Sequence, residues 1–285
     1  MSKIKRILTA LFILTLSVGG YLFYRIDIYS SPYVVFSTPK AYSFQPVNPY
    51  CSQSTIAPSP LQQEKFRLLV WNIHKGQDEG WQSELSRFSQ QADFLLLQEV
   101  TNQQNLAVQF LHQFPTALYV AAFADAGRQS GVQILSKATP DLVCADMESE
   151  PWIIIPKVAS AVRFPLKNQQ SLLIVNLHLV NFELTPTNYR RQIEKMMGLL
   201  AKHQGPIILA GDFNTWNEGR LKLIRKLAQQ VDLQELSYLP DNRMRFLGNP
   251  LDHIFIRGFN VIQATTEQTN SSDHNPLLAE LELRR

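Results

Sequence analysis

Short apolar runs alternate with amphipathic stretches along the chain after residue 65, and this alternation predicts an α/β protein. Runs with the length and residue types of strands are 66–73, 93–99, 131–136, 152–155, 158–164, 171–179, 206–212, 251–258 and 276–283. Helical periodicity covers 80–91, 102–112, 187–203 and 217–230. Because several strands in the middle follow one another without a helix, we expect two mixed sheets packed face to face, with helices outside.

The N-terminus predicts a membrane segment. Residues 7–24 carry no charged side chain, and the flank before them, MSKIKR, has three positive charges and no negative one. A helix of this length reaches roughly 27 Å, enough for a thin bilayer. A positive flank favours the cytoplasmic side, which predicts a single-pass protein of the cell membrane with the remaining chain outside the cytoplasm. A cleaved signal peptide that releases a secreted domain is the alternative.

The composition changes between the membrane segment and the first strand. Six of the 16 prolines lie between Ser31 and Glu64, together with many Ser, Thr and Gln residues. Such a composition favours an extended, semi-rigid spacer. The predicted organisation is a basic flank at 1–6, a membrane helix at 7–24, a linker at 25–64 and a folded domain at 65–285.

Overall charge and cysteine content narrow the function. A net charge of +3 is too small for a protein that coats nucleic acid by charge alone. Two cysteines, Cys51 and Cys144, are too few for a disulfide-built scaffold or a structural zinc site. A disulfide between them and two buried free thiols both remain open.

Polar residues that can bind a metal or a phosphate stand at the ends of the apolar runs. They are Asn72, Glu99, Asn176, His178, Asp212, Asn214, Asp252, Asp273 and His274. Carboxylate, amide and imidazole groups together are the set that an open, metal-assisted hydrolytic site needs. Any one of them alone is more typical of a turn, a helix cap or a core residue. Their shared position at strand ends favours a site.

Seven motifs carry a family resemblance. In chain order they are WNIHKG, LLLQEV, GVQILSK, VNLHL, ILAGDFNTW, LDHIFI and SSDHNPL. In this order and spacing they resemble the endonuclease/exonuclease/phosphatase superfamily, which includes DNase I, apurinic endonucleases, sphingomyelinases and inositol polyphosphate 5-phosphatases. Through NPLDHIFIRGFNV and TNSSDHNPLL the chain is most similar to a bacterial, YafD-like branch. The resemblance implies a four-layer αββα sandwich. The transmembrane helix predicted at 7–24, which is not part of the family pattern, would precede it and place the protein in the inner membrane of a bacterial cell.

The resemblance also implies a metal site and a cofactor. Glu99 would be the direct ligand, with Asn72 in the same site and Asp273 contributing to metal binding or to the electrostatics beside it. The expected metal is Mg²⁺, with Mn²⁺ as a substitute.

Five residues receive catalytic roles by the same resemblance. Asp212 would activate the attacking water, and Asn214 would position that water and the phosphate. Asp252 would pair with His274, whose imidazolium would stabilise the pentavalent phosphate. His178 would assist the leaving group.

Residues for substrate binding are predicted around these groups. Asn176 would support the site from the strand face of His178, while Arg128, Arg243 and Arg245 could bind phosphates. The basic run at 220–226 is interpreted instead as the solvated face of an amphipathic helix.

Three functions follow for the folded domain. The first is a Mg²⁺-dependent phosphodiesterase of nuclease type, and the second is a lipid or small-metabolite phosphoesterase at the membrane surface. The third is a catalytically silent domain of the same fold used for binding. The expected partners are a phosphoester substrate and, through the N-terminal helix, a membrane; no protein partner is expected.

Overall fold

A computed structural model of the protein describes residues 3–39, 41–44, 51–54, 56–153, 155–183 and 185–284. Most strands belong to two large sheets. The first contains, in chain order, β1 (Ile26–Thr38), β2 (Ala41–Phe44), β4 (Lys65–Asn72), β5 (Phe94–Thr101), β6 (Thr116–Asp125), β7 (Arg128–Ser136), β16 (Phe259–Thr266) and β17 (Leu277–Leu283). Their spatial order is β16-β17-β4-β5-β7-β6-β1-β2.

The second sheet contains seven strands. In chain order they are β3 (Cys51–Gln53), β8 (Leu142–Ser149), β9 (Pro156–Pro165), β10 (Ser171–His178), β11 (Ile207–Asp212), β12 (Gln234–Glu235) and β15 (Asp252–Arg257). Their spatial order is β12-β15-β11-β10-β9-β8-β3. Two short strands, β13 (Arg245–Phe246) and β14 (Asn249–Pro250), pair separately.

Helices complete the outer layers. They are α1 (Lys3–Arg25), α2 (Trp81–Ser89), α3 (Leu106–Gln109), α4 (Thr187–Lys202) and α5 (Glu218–Gln229), with single 3₁₀ turns at His74–Gly76 and Asn102–Gln104. The inner faces of the two sheets form one continuous hydrophobic core. α4 and α5 bury their apolar faces on the outer side of the second sheet, and α2 covers the first. The predicted sandwich of two mixed sheets with outer helices is confirmed.

The N-terminal region differs from its prediction. α1 covers the apolar stretch, but across the described parts of the chain no helix is both long enough and apolar enough to cross a membrane. The prediction of a transmembrane helix at 7–24, and with it a single-pass inner-membrane protein with an extracytoplasmic domain, is therefore wrong.

The region expected to be a linker also contributes to the sandwich. β1 follows α1 directly and pairs with β6, and its Val34 and Phe36 lie in the core with 1% of their surface exposed. β3 pairs with β8 in the second sheet. Prolines and serines in this region interrupt the alternation of apolar and polar residues by which a strand is recognised in the sequence. Part of the expected linker, 45–50, lies outside the described residues.

Other differences concern single elements. Residues 151–153 form a turn, so the strand predicted at 152–155 is wrong, and residue 154 lies outside the described residues. The helix predicted at 102–112 is reduced to a 3₁₀ turn and the four-residue α3. The longer strands β6, β8 and β16 and the two-residue strands β12, β13 and β14 lie outside the predicted runs.

A disulfide joins the two cysteines and ties the N-terminal region to the second sheet. Cys51 on β3 is bonded to Cys144 on β8 across 93 residues of sequence. Because the bond closes a long loop in the unfolded chain, we expect the double variant Cys51→Ser/Cys144→Ser to lose about 2–5 kcal/mol of unfolding free energy. Urea unfolding of both proteins measures this difference. A change below about 0.5 kcal/mol would contradict it.

Candidate active site

A cleft of about 700 Å³ opens where the strands of both sheets end, and it contains most of the predicted site residues. Asn72, Glu99, His178, Asp212, Asn214, Asp273 and His274 all line it. Asn72 ends β4, and Asp212 ends β11 on the facing sheet, with Asn72 Nδ2 donating to Asp212 Oδ2 over 3.1 Å. The candidate site residues of the two sheets therefore meet in this cleft.

A β-bulge in β5 directs the Glu99 side chain into the cleft. The register of β5 against β7 shifts between Gln98 and Val100, and Glu99 has a φ of 54°, in the left-handed region. A bulge of this kind redirects a side chain that the regular strand would place elsewhere. Within the described residues, Glu99 Oε2 accepts no hydrogen bond and has Lys75 Nζ at 3.3 Å.

The Glu99 carboxylate is ionised despite its burial. Burial alone would raise its pKa, but the electrostatic effect of His178 and the positive charges of Lys157, Lys75 and His274 lower the pKa below its usual range. A buried, ionised carboxylate oxygen without a hydrogen bond is a suitable ligand for a hard divalent cation. Asn72 lies on the neighbouring strand and adds an amide oxygen, so the residues fit the predicted metal.

Asp212 and Asn214 are held by the geometry after β11. Gly211 has a φ of 137°, and a Cβ there would lie 2.0 Å from the carbonyl oxygen of Leu177, so only glycine lets β11 approach β10 this closely. The Asn214 backbone N–H donates to Asp212 Oδ1 over 2.9 Å, and Asn214 Nδ2 donates to the Leu179 carbonyl over 2.8 Å. These bonds fix both side chains at the cleft floor.

Asp212, Asp252 and His274 form a buried charged cluster. Their ligand atoms lie within 4.8 Å of one another. His274 Nδ1 is 2.7 Å from Asp252 Oδ2, and His274 Nε2 is 3.8 Å from Asp212 Oδ2. Burial disfavours the charged imidazole, but Asp252 and Asp212 raise the pKa of His274 to about 10. The cluster is thus held together by an imidazolium between two carboxylates.

The protonation of Asp212 is finely balanced. Burial raises its pKa to about 6; the His274 charge acts against this rise, and the Asp252 carboxylate adds to it. A carboxylate with a pKa near neutrality can accept a proton from water during a reaction.

Lys157 is a functional candidate that sequence reasoning missed. It is the second residue of β9 and lines the cleft, where its Nζ lies 3.1 Å from His178 Nε2. Burial and the Lys157 charge lower the pKa of His178 well below its usual range, so His178 Nε2 accepts a hydrogen bond from Lys157. The signal in the sequence is a single lysine directly before the apolar run VASAVRF.

Not every predicted residue reaches the cleft. Asn176 is fully buried between the sheets, where its side chain accepts from Gln98 and donates to the carbonyls of Leu97 and Gln133. Its amide is fully used by these bonds, so Asn176 supports the cleft floor from below and does not face substrate.

Two of the three predicted arginines are directed elsewhere. Arg243 and Arg245 both bond to the Asp241 carboxylate, and neither lines the cleft. Arg243 also donates to the Asp252 carbonyl over 3.2 Å, which makes it a support for that residue. Arg128 does line the cleft, and Asp273 lies exposed at its mouth.

The sequence pattern of the Endonuclease/Exonuclease/phosphatase family matches residues 69–274. The chain therefore belongs to this family, whose members are phosphoester hydrolases, and the family predicted from the motifs is confirmed.

Its relatives include bacterial UPF0294 proteins. One from Vibrio vulnificus (strain YJ016) is 39% identical over 235 residues, which are 82% of this chain and 83% of that protein. An endonuclease/exonuclease/phosphatase from Beutenbergia cavernae has the same fold, with a TM-score of 0.60 and 15% identity over 78% of this chain and 72% of that chain. The catalytic domain of human Nocturnin with a bound sulfate anion has a TM-score of 0.58 and 18% identity, over 80% and 97% of the two chains.

Proposed function

We propose that this protein is a metal-dependent phosphodiesterase in which Asp212 activates the attacking water. The observation that carries the proposal is the surroundings of the Asp212 carboxylate. Its Oδ2 lies 3.1 Å from Asn72 Nδ2, 3.4 Å from His178 Nε2 and 3.8 Å from His274 Nε2. Glu99 lines the same cleft of about 700 Å³. One cleft thus combines a proton acceptor, the residues proposed to hold the metal and a fixed positive charge, and it is large enough for a phosphate.

Residue roles follow from this arrangement. Asp212 takes the proton of the water that attacks phosphorus, while Asn214 orients the water and a phosphate oxygen. The His274 imidazolium, held by Asp252, stabilises the charge that develops on the phosphate oxygens. The Lys157 ammonium, hydrogen-bonded to His178, donates a proton to the leaving oxygen as its bond to phosphorus breaks.

The metal belongs beside Glu99. We propose that Glu99 and Asn72 hold Mg²⁺, for which Mn²⁺ can substitute, because hard cations prefer oxygen ligands. When bound, the cation supplies Lewis-acid polarisation of the phosphate. Asp273 lies at the mouth of the same cleft and adds negative charge near this position.

The function is tested with the purified full-length chain and three substrates. These are bis-p-nitrophenyl phosphate, p-nitrophenyl phosphate and supercoiled plasmid, each with Mg²⁺ and with EDTA. We expect Mg²⁺-dependent hydrolysis of the small diester at a higher rate than that of the monoester. Plasmid nicking would assign nuclease activity, whereas turnover of neither ester nor plasmid by folded protein would contradict the proposal.

Glu99→Gln tests the metal ligand separately. An amide oxygen binds a hard cation more weakly than a carboxylate, so we expect the Mg²⁺ concentration for half-maximal activity to rise about tenfold or more. The rise in Tm that Mg²⁺ gives the wild-type protein should weaken in parallel. Glu79→Gln, an exposed carboxylate outside the cleft, is the matched control. An unchanged Mg²⁺ requirement in Glu99→Gln would place the metal elsewhere.

A further inference from the structure

An apolar recess of about 330 Å³ opens from the side of the catalytic cleft. Its walls include four aromatic side chains, which are Trp152, Phe182, Trp216 and Phe246, and we call it the aromatic recess. Asn181, Phe182, Asn214 and Leu251 line both the recess and the cleft. A group bound in the recess would therefore lie directly beside Asn214 and the proposed position of the phosphate.

The inner wall of the recess is rigid. Trp216 Nε1 donates to the Asn181 carbonyl over 3.2 Å, and the Arg220 guanidinium lies 4.8 Å from the centre of the Trp216 ring. Trp216 also meets Phe246 edge to face, with ring centres 6.4 Å apart. A ring that binds here meets a surface already fixed, so little conformational entropy is lost on binding.

The outer wall leaves aromatic surface uncovered. Trp152, Phe182 and Phe246 have 60%, 49% and 52% of their surface exposed. Clustered, exposed apolar side chains at a cavity mouth mark a binding site more often than a neutral surface. Three such rings around one recess indicate a ligand that covers them.

The recess and the cleft differ in the charge of the residues that line them. Glu183 is the only ionisable group among the described residues that line the recess, and its carboxylate accepts hydrogen bonds from the backbone N–H groups of Thr187, Asn188 and Tyr189. The cleft, by contrast, presents Lys75, Lys157 and Arg128. The recess thus suits an uncharged part of the substrate, and the cleft suits its phosphate.

The recess rim also offers hydrogen bonding. The half-buried Asn181 side-chain amide lines the rim and makes no hydrogen bond within the described residues. An amide of this kind can donate to and accept from the polar edge of a ring. A purely aliphatic chain would leave that amide unpaired.

We propose that the aromatic recess binds a flat, uncharged aromatic ring with a polar edge, as in a nucleobase, carried by the group that esterifies the phosphate. The ring stacks against Phe182 and Trp216 and uses the Asn181 amide at its edge. This inference rests on the proposed phosphoester hydrolysis and narrows its substrates to nucleotide esters.

Binding to a catalytically disabled chain tests the inference. The full-length Asp212→Asn variant is titrated in Mg²⁺ with AMP, with ribose 5-phosphate and with n-octyl phosphate, and affinities are measured by calorimetry. Since stacking of one base on aromatic side chains contributes about tenfold or more to affinity, we expect AMP to bind about tenfold more tightly than ribose 5-phosphate. AMP should also quench tryptophan fluorescence, whereas ribose 5-phosphate should not.

A second substitution locates the effect. Adding Phe182→Ala should weaken the affinity for AMP about tenfold and leave the affinity for ribose 5-phosphate unchanged. Val108→Ala, an exposed apolar side chain outside both cavities, is the control and should change neither affinity.

Three results would overturn the inference. Equal affinity for AMP and ribose 5-phosphate would exclude binding of the ring in the recess. An equal loss of affinity for both ligands in Phe182→Ala would show a general structural effect of the substitution. Binding of n-octyl phosphate as tightly as AMP would assign the recess to an alkyl chain. Hydrolysis of bis-p-nitrophenyl phosphate by the wild-type chain is scored separately. Diester turnover without AMP preference refutes only this inference, and AMP preference without turnover refutes only the proposed hydrolysis.

Discussion

Replacement of Asp212 by asparagine is expected to lower turnover of bis-p-nitrophenyl phosphate by about a thousandfold or more while the protein stays folded. The amide has nearly the same shape as the carboxylate, but it cannot take a proton from the attacking water. It also removes the negative charge that faces His274 Nε2 at 3.8 Å. The rate and the unfolding free energy are both measured, so that lost activity is not confused with lost structure.

Stability should change little in this variant. Burial raises the pKa of Asp212 to about 6, so its ionised form is less favourable in the folded protein than in the unfolded chain, and removing the charge does not by itself lower the free energy of unfolding. We expect the free energy of unfolding to stay within about 1 kcal/mol of the wild-type value. Asp232→Asn, at an exposed carboxylate outside the cleft, is the matched control and should keep full activity. Full activity in Asp212→Asn would refute the assignment of this residue as the proton acceptor.

Arg220→Ala is expected to give a large loss of stability. The Arg220 guanidinium is almost fully buried and donates to four carbonyl oxygens, which belong to Val180, Asn181, Glu183 and Asn214. Its charged group also lies 4.3 Å from the centre of the Tyr189 ring. Truncation leaves buried acceptors unpaired and opens a cavity, so we expect a loss of about 3–5 kcal/mol. Thermal unfolding should show a Tm lower by roughly 10 °C.

Two further variants separate the causes. Arg220→Lys keeps the charge but presents a single nitrogen, which cannot reach four carbonyls at once, so most of the loss should remain. Lys222→Ala lies on the same helix with an exposed side chain and should stay within about 0.5 kcal/mol of wild type. If Arg220→Ala were as stable as Lys222→Ala, the two loops that Arg220 connects would be held by other contacts.

The residues at strand ends could be predicted from sequence because each belongs to a short, local pattern. Asp212 and Asn214 directly follow an apolar run, and Asp252 directly precedes one. Strand pairing and the packing of the two sheets then bring these residues together, independently of the conformation of the loops. The roles assigned to them stay predictions until the variants are measured.

Contacts between distant segments could not be predicted in the same way. Arg220 was assigned to the solvated face of a helix, and its neighbours Leu221 and Ile224 do face inward as that helix predicts. Arg220 itself is buried because its guanidinium meets carbonyls of the 180–183 loop, 37 to 40 residues earlier in sequence, together with the nearby Asn214 carbonyl. Arg243 was assigned to phosphate, although Asp241 is close enough to capture its charge. The aromatic recess likewise combines residues from separate loops, none of which carries a motif.

The pairing of β1 with β6 has a consequence for any shortened form of this protein. β1 covers the backbone hydrogen-bonding groups of β6, a ten-residue strand, from Ile26 opposite Asp125 to Ser37 opposite Ala117. A chain that started at 65, as the sequence alone would suggest, would leave this long edge open to pairing with other molecules. The segment before 65 thus supplies a partner strand of β6, and a shortened chain would lose it.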